Sequence, residues 1–378
     1  MKKLGIYIHI PFCKSKCNYC DFYSISWNKE AEKRYIEAVI NEIRIYNESL
    51  ETNYVVDTIY FGGGTPTIIS PLSLSKILDE IKRVFKVEKN SEISIEANPN
   101  TLLSNNLSFY RNIGINRLSI GVQSLNDDLL YKIGRIHNSK EALDSIDRAI
   151  INGFSNINVD VMFNIPGQTV KNIENTLSEI IKHNINHISF YSLKLEKGTP
   201  LFVMEKKNKL IMPEEDVERE MYYCGRNVME NNNLFQYEIS NFAKKNYECK
   251  HNLKYWNQEE YIGLGPSAHS FLNMNRYSNS ADLNNYCLNL VKKTFERNIH
   301  EILNYEDMKF EYIMLQLRLN KGLSICDFNK KFLIDFNTAY SSQIEYLIKN
   351  NLLEYKGDNI RLTKKGMDIS NYVFTQFM

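Results

Sequence analysis

Apolar residues dominate the run from Leu4 to Ile10, which stops at Pro11; a short apolar run ended by a turn signal reads as a buried strand. Between Lys29 and Leu50 the pattern changes to helical spacing, with Tyr35, Val39, Ile43 and Tyr46 on one face. A second strand, Asn53 to Phe61, runs into Gly62-Gly63-Gly64-Thr65-Pro66. The alternation then repeats: helix Leu72–Phe85, strand Glu92–Ala97, helix Leu103–Asn112 and strand Arg117–Val122. Helices over Asp127–Ile133 and Ser139–Ile151 follow, then strand Ile157–Phe163, helix Val170–His183 and strand His187–Leu193. Strands alternating with helices predict βα units around a parallel sheet. Six units before residue 195 predict an α/β fold of the open (β/α)6 partial-barrel kind. Ligands of such folds gather at the carboxyl ends of the strands.

Beyond residue 195 the pattern loosens. Glu214 to Asn231 reads as a helix, and Tyr237 to Phe271 is rich in aromatics and glycines. From Tyr305 it changes again: helices at Asp307–Leu319, Ser324–Phe332 and Thr338–Asn350 lead into a hairpin, Leu352–Tyr355 and Ile360–Leu362. A last helix begins at Thr363. Helices followed by a hairpin predict a small, mostly helical winged-helix-like domain. The chain thus divides into a core at residues 1–195, an extension at 196–300 and a C-terminal domain at 301–378. No strongly basic recognition helix stands out, so nucleic acid is not an expected partner.

Composition narrows the classes. Over 378 residues, 46 Lys and Arg face 45 Asp and Glu, a net charge of +1 that gives no field for nucleic acid or an anionic bilayer. No run approaches the ~18 apolar residues of a membrane span, which leaves at most a peripheral membrane contact. The basic start, Met1-Lys2-Lys3, leads straight into a cysteine loop and does not read as a signal peptide. Seven cysteines, four of them isolated (Cys224, Cys249, Cys287, Cys326), do not form a secreted disulfide pattern, and the expected location is cytoplasmic.

The other three, Cys13, Cys17 and Cys20, share one tight loop as C-x3-C-x2-C. Three thiolates at that spacing suit an iron–sulfur cluster or zinc. A structural zinc site closes with a fourth Cys or His nearby, and Asp21-Phe22 supplies neither. A zinc site completed by a distant His, or unligated thiols, stays open at this point. The glycine triplet at a strand end lets backbone approach a ligand, although it also makes an ordinary tight turn. Glu96 and Gln123 lie at strand ends. Asp160 sits inside the apolar run Val159-Asp160-Val161-Met162, where a carboxylate is costly to bury without a partner. Arg135 is a candidate for the matching charge.

These motifs carry a resemblance. Cys13-x3-Cys17-x2-Cys20, with Tyr19 before the last Cys, resembles the signature of radical S-adenosylmethionine (SAM) proteins. The wider run Tyr7-Ile-His-Ile-Pro-Phe-Cys13 is similar to the oxygen-independent coproporphyrinogen III oxidase group and its haem-chaperone relatives. The resemblance implies a [4Fe-4S] cluster on Cys13, Cys17 and Cys20, with one iron left open for SAM. It also implies SAM contacts from Tyr7, Tyr19, Gly63, Gly64, Thr65, Glu96, Gln123, Arg135 and Asp160, and an external electron donor. The C-terminal winged-helix pattern fits the same group.

Two departures favour the haem-chaperone branch over the oxidase branch. The oxidases carry a further Cys where this chain has Phe22, and a longer segment ahead of the motif. In addition, His251-Asn252-Leu-Lys-Tyr255-Trp256 looks like the His-Asn-x-x-Tyr-Trp motif of the chaperones. An imidazole can ligate haem iron, so the resemblance makes His251 the expected haem ligand, beside the bland alternative of a hydrogen-bonded core histidine. The expected function is haem binding and transfer to an acceptor protein; the rival is oxygen-independent decarboxylation of coproporphyrinogen III.

Overall fold

The structure is a computed structural model that describes residues 1–50, 54–291 and 297–378. Six strands run parallel and pair in chain order: β1 (Lys2–Ile10), β2 (Tyr54–Gly63), β3 (Val87–Ala97), β4 (Arg117–Gln123), β5 (Ile157–Phe163) and β6 (His187–Ser192). Between them lie α1 (Lys29–Ser49), α2 (Pro71–Val84), α3 (Ser104–Ile113), α4 (Asp127–Lys132), α5 (Ser139–Ile151) and α6 (Val170–Ile181). The open parallel barrel expected from the alternation is present. Asn53, the expected first residue of β2, lies outside the described residues.

Local chemistry sets the helix starts. Asn28 and Ser70 cap α1 and α2 through their side-chain oxygens, and Asn138 with Glu141 and Thr169 with Asn172 form capping boxes on α5 and α6. Each such cap contributes about 1 kcal/mol. The outer faces of the strands and the inner faces of the helices make one continuous core, with Ile6, Ile8, Ile59, Phe61, Ile95, Leu118, Ile120, Val159 and Val161 against Tyr35, Val39, Ile77, Ile146 and Leu177.

The loosely patterned middle of the chain is more regular than its sequence predicts. It supplies six further strands, so that the sheet has twelve. Tyr261–Leu264 pairs parallel to the free side of β1 and continues into the antiparallel strands His269–Leu272, Asn275–Ser278 and Asn298–Ile302. Asn241–Ala243 adds antiparallel to β6, and Phe235–Glu238 pairs antiparallel with Asn241–Ala243 at the edge. These strands are short, four or five residues at most, and their signal is diluted by turns. Among the described residues the sheet stays open, with Asn298–Ile302 and Phe235–Glu238 at its two ends.

The C-terminal segment has its own core, built from Ile313, Leu317, Phe328, Phe336, Leu347, Ile360 and Val373. Leu353–Lys356 and Asn359–Leu362 form the hairpin, and Leu323–Ser324 completes a three-stranded sheet against it. Helices Tyr305–Leu317, Ile325–Phe332 and Ser341–Lys349 pack around that sheet. The result is the winged-helix-like arrangement that the pattern predicts.

Candidate functional site at the barrel mouth

The inward positions of the barrel strands are polar at every second residue: Thr58 and Tyr60; Glu92, Ser94 and Glu96; Arg117, Ser119 and Gln123; Asn158 and Asp160; His187, Ser189 and Tyr191. Period-two polarity inside otherwise apolar strands means a polar lumen backed by an apolar outer layer. Its carboxyl end is where the expected site residues come together.

The cysteine loop is tied to the barrel by backbone. Thr65 N donates to Phe12 O at 2.7 Å, Gly64 N to Ile10 O at 2.8 Å, and Asn18 N to Ile133 O at 3.0 Å. A connected chain of side chains reaches two of the three sulfurs. Thr65 Oγ1 donates to Cys13 Sγ at 3.7 Å, and Asn98 Nδ2 donates to Thr65 Oγ1 at 2.9 Å. Arg135 Nη2 donates to Asn98 Oδ1 at 2.6 Å, and its Nη1 points at Cys17 Sγ at 3.5 Å. Donors placed on sulfur suit a thiolate that carries metal charge. Burial pushes the Cys20 thiol up. Among the described residues no three His, Cys, Asp or Glu side chains converge closely enough to hold a single metal ion.

The glycine triplet leaves room that no side chain could share. A Cβ on Gly64 would stand 2.6 Å from the Phe12 carbonyl oxygen and 3.0 Å from Cys13 Sγ. Gly63 has a φ of +110°, and a Cβ there would strike the His9 ring at 2.7 Å. Beside the triplet, Gly63 N donates to Glu96 Oε2 at 3.2 Å and Tyr60 OH donates to Glu96 Oε1 at 2.9 Å. Burial, and then the nearby Asp160 charge, push Glu96 up to about 7. Tyr7 stacks on Tyr60 at 6.2 Å and is held neutral by burial. Gln123, at a φ of +69°, accepts from Tyr191 OH at 2.9 Å. Tyr19 packs against Arg135, and its hydroxyl is likewise kept neutral by burial.

Asp160 differs from expectation in its partner. Asn158 Nδ2 donates to it at 2.7 Å and Ser119 Oγ at 3.2 Å, while Arg135 is committed to Cys17, Asn98 and the Gly121 carbonyl. The arginine acts on Asp160 only at longer range, and burial still pushes the carboxyl up. Tyr60, Asn98, Asn158 and Tyr191 were not singled out from the sequence. Their signal was the period-two polarity, read together with strands whose outward residues are all apolar.

Several buried polar atoms at this end lack partners: Arg135 Nε, Asn100 Oδ1, Asn164 Oδ1 and His137 Nδ1. Unmatched polar atoms beside a glycine cradle and three thiols fit a site that receives a polar ligand next to a cluster. The donor set therefore fits an iron–sulfur cluster with SAM beside it.

His251 is elsewhere. It sits on the short helix Lys250–Trp256, which closes the opposite end of the lumen, and is 1% exposed. Its Nδ1 pairs with Thr58 Oγ1 at 2.8 Å and its Nε2 with Tyr255 OH at 2.9 Å. The ring stacks on Tyr60 at 5.2 Å, and burial, then Lys254, push it down to about 3. In this structure both imidazole nitrogens are engaged and the ring has no exposed edge. These contacts are those of a hydrogen-bonded core histidine, with Thr58 and Tyr255 as its partners.

An open parallel barrel with three loop thiols and a glycine cradle at its carboxyl end defines a protein of the radical SAM class. The model for the radical SAM superfamily matches residues 7–180, and that for the HemN C-terminal domain matches residues 303–369. The chain is 37% identical to the heme chaperone HemW of Bacillus subtilis, over 98% of both chains. It is 34% identical to the heme chaperone HemW of Lactococcus lactis, over 100% of this chain and 98% of that one. The solved Escherichia coli coproporphyrinogen III oxidase HemN shares the fold, with a TM-score of 0.86 at 20% identity over 100% of this chain and 90% of that one. The chain belongs to the radical SAM superfamily, in the HemW family of its HemN-like group.

Proposed function

We propose that this chain is a haem chaperone that binds haem and passes it to an acceptor protein, and that it carries a [4Fe-4S] cluster and SAM. The observation that carries the reading is likeness along the whole chain, at 37% and 34% identity, to two proteins named for that activity. Phe22 agrees with it: the residue is 62% exposed beside the cysteine loop, where the oxidase branch has a further Cys.

In this reading Cys13, Cys17 and Cys20 hold the cluster, which when bound supplies single-electron chemistry to SAM. Thr65 and Arg135 offset the negative charge of the sulfurs. The backbone at Gly63 and Gly64 lets the amino-acid part of SAM approach, and Glu96 accepts from its ribose hydroxyls. Tyr7, Gln123 and Asp160 line the lumen beside it, and Tyr19 packs Arg135 in place. An electron donor and the acceptor protein are external. Among the described residues no helix is long and apolar enough to cross a membrane.

The test is anaerobic incubation of reconstituted protein with coproporphyrinogen III, SAM and reductant, with haem titrated into the same preparation. The reading expects saturable haem binding and no vinyl product. Turnover of coproporphyrinogen by protein that ignores haem would replace it with the oxidase reading.

A further inference from the structure

Away from the barrel mouth, the helix Glu215–Glu230 faces the C-terminal domain across a cavity of about 180 Å³, which abuts a shallower groove of about 320 Å³. Tyr223, Arg226, Gln236, Arg318, Lys364 and Met367 line it. One wall is apolar and aromatic, while three of its side chains are cationic. The carboxylate on the same wall, Asp368, already accepts from Tyr223 OH at 2.8 Å. Arg226 is likewise engaged, through Nε to Glu230 at 2.8 Å.

Arg318 and Lys364 are not. Arg318 lies between the Trp256 and Phe374 rings, at 5.8 and 5.3 Å, and its buried Nε has no hydrogen-bond partner. Lys364 Nζ sits over the Tyr223 ring at 4.2 Å. Gln236 is 7% exposed; its Nε2 donates to Tyr222 OH and Ile239 O, and its Oε1 has no partner. Glu238 lies near Arg318 but already accepts from Ser240 N and Asn241 Nδ2, so the buried Nε of the half-buried guanidinium stays unmatched, a cost that an anionic ligand would offset. Arginine in particular suits the bidentate recognition of a carboxylate.

We infer that this interdomain cleft binds a planar, largely apolar ligand by carboxylates at its edge, and, resting on the haem-chaperone reading, that the ligand is haem held by its propionates. Arg318 and Lys364 take the carboxylates, and Tyr223 with Met367 covers the ring. The motif that contains His251 then reaches the ligand from its other end: Trp256 packs on Arg318, while His251 stays in the barrel floor.

The test is equilibrium titration of the full-length protein with haem, with protoporphyrin IX and with protoporphyrin dimethyl ester, which lacks free carboxylates. Arg318→Gln and Lys364→Gln should each weaken binding of the two free acids about tenfold and leave the weak binding of the ester unchanged. Arg318→Lys, which keeps the charge but not the bidentate fork, should recover only part of the affinity lost in Arg318→Gln. Lys364 is exposed, so its variant reads out even if Arg318→Gln disturbs packing. Haem affinity within twofold of wild type in both Gln variants would overturn the cleft and leave the chaperone reading standing. Equal binding of ester and free acid would also overturn it. Wild-type protein that binds neither porphyrin would defeat the chaperone reading itself.

Discussion

The two ends of one barrel lumen use buried polar groups in opposite ways. Around His251 at the floor they are matched: His251 has Thr58 and Tyr255, and Glu92 takes the backbone N–H groups of Lys250 and His251. His187 bridges Asn158 and Tyr237 with both nitrogens. At the mouth, donors and acceptors on Arg135, Asn100, Asn164 and His137 are left open, and glycines hold space. A closed network contributes rigidity and a unique register, whereas an open one is a surface waiting for a ligand. Polarity and burial alone would not have told these ends apart; the balance of hydrogen bonds does.

The division can be broken most severely at the cysteine loop. Cys17→Ser should abolish most of the iron and sulfide taken up on anaerobic reconstitution, with loss of the near-visible absorption. Cys224, Cys287 and Cys326 should be replaceable without iron loss, and full iron content in Cys17→Ser would remove the cluster assignment. The next largest effect lies at the floor. Arg117 is 2% exposed, donates to Asn156 and to the Tyr247 carbonyl, and lies close to the buried Glu92. Arg117→Met should cost about 3 kcal/mol of stability in urea unfolding, since Glu92 loses its neighbouring positive charge, while SAM affinity in folded protein stays near wild type. At the mouth the pattern should invert. Asp160→Ala and Gln123→Ala should each weaken SAM binding about tenfold, roughly 1.4 kcal/mol, with cluster content unchanged; unaltered affinity in both would misplace the SAM site.

The smallest effect concerns pH, and its sign differs between the ends. Glu96 is pushed up to about 7 from an ordinary 4.5, so the unfolded chain releases its proton first as pH rises. Its contribution to stability is full below about 4.5 and lost by about 7. His251 is pushed down to about 3 from 6.5, so its contribution is full above about 6.5 and lost as pH falls toward 3. In cluster-free protein Glu96→Gln should reduce the fall in urea midpoint from pH 4.5 to 7, with the rest kept by the buried Glu42, which is also pushed up to about 7, and should leave the acid limb unchanged. A wild-type midpoint that rises through that window in step with Glu96 would contradict the sign.

Much of this was legible in the chain. The strand and helix alternation gives the six-unit barrel because apolar outward residues mark every strand, and the cysteine loop, glycine triplet, Glu96, Gln123 and Asp160 all reach the mouth. Less legible was anything set by long-range contact. The six added strands are too short to show a period, and Arg135 finds Cys17 and Asn98 instead of Asp160 only because α4 ends against the loop. His251 shows the limit most plainly. The motif makes His251 the expected haem ligand, and its partners Thr58 and Tyr255, set by long-range contact, could not be read beside it in the sequence. Trp256, five residues on, packs against Arg318 instead.

The most direct test of this division is a haem titration of folded His251→Ala, with iron–sulfur content and thermal unfolding followed on the same sample. The account predicts a Soret spectrum and haem affinity within about twofold of wild type, together with a clear loss of stability as Thr58 and Tyr255 lose their shared partner. A shifted Soret band and weakened haem binding at unchanged stability would instead make His251 a haem ligand, and the floor a binding site.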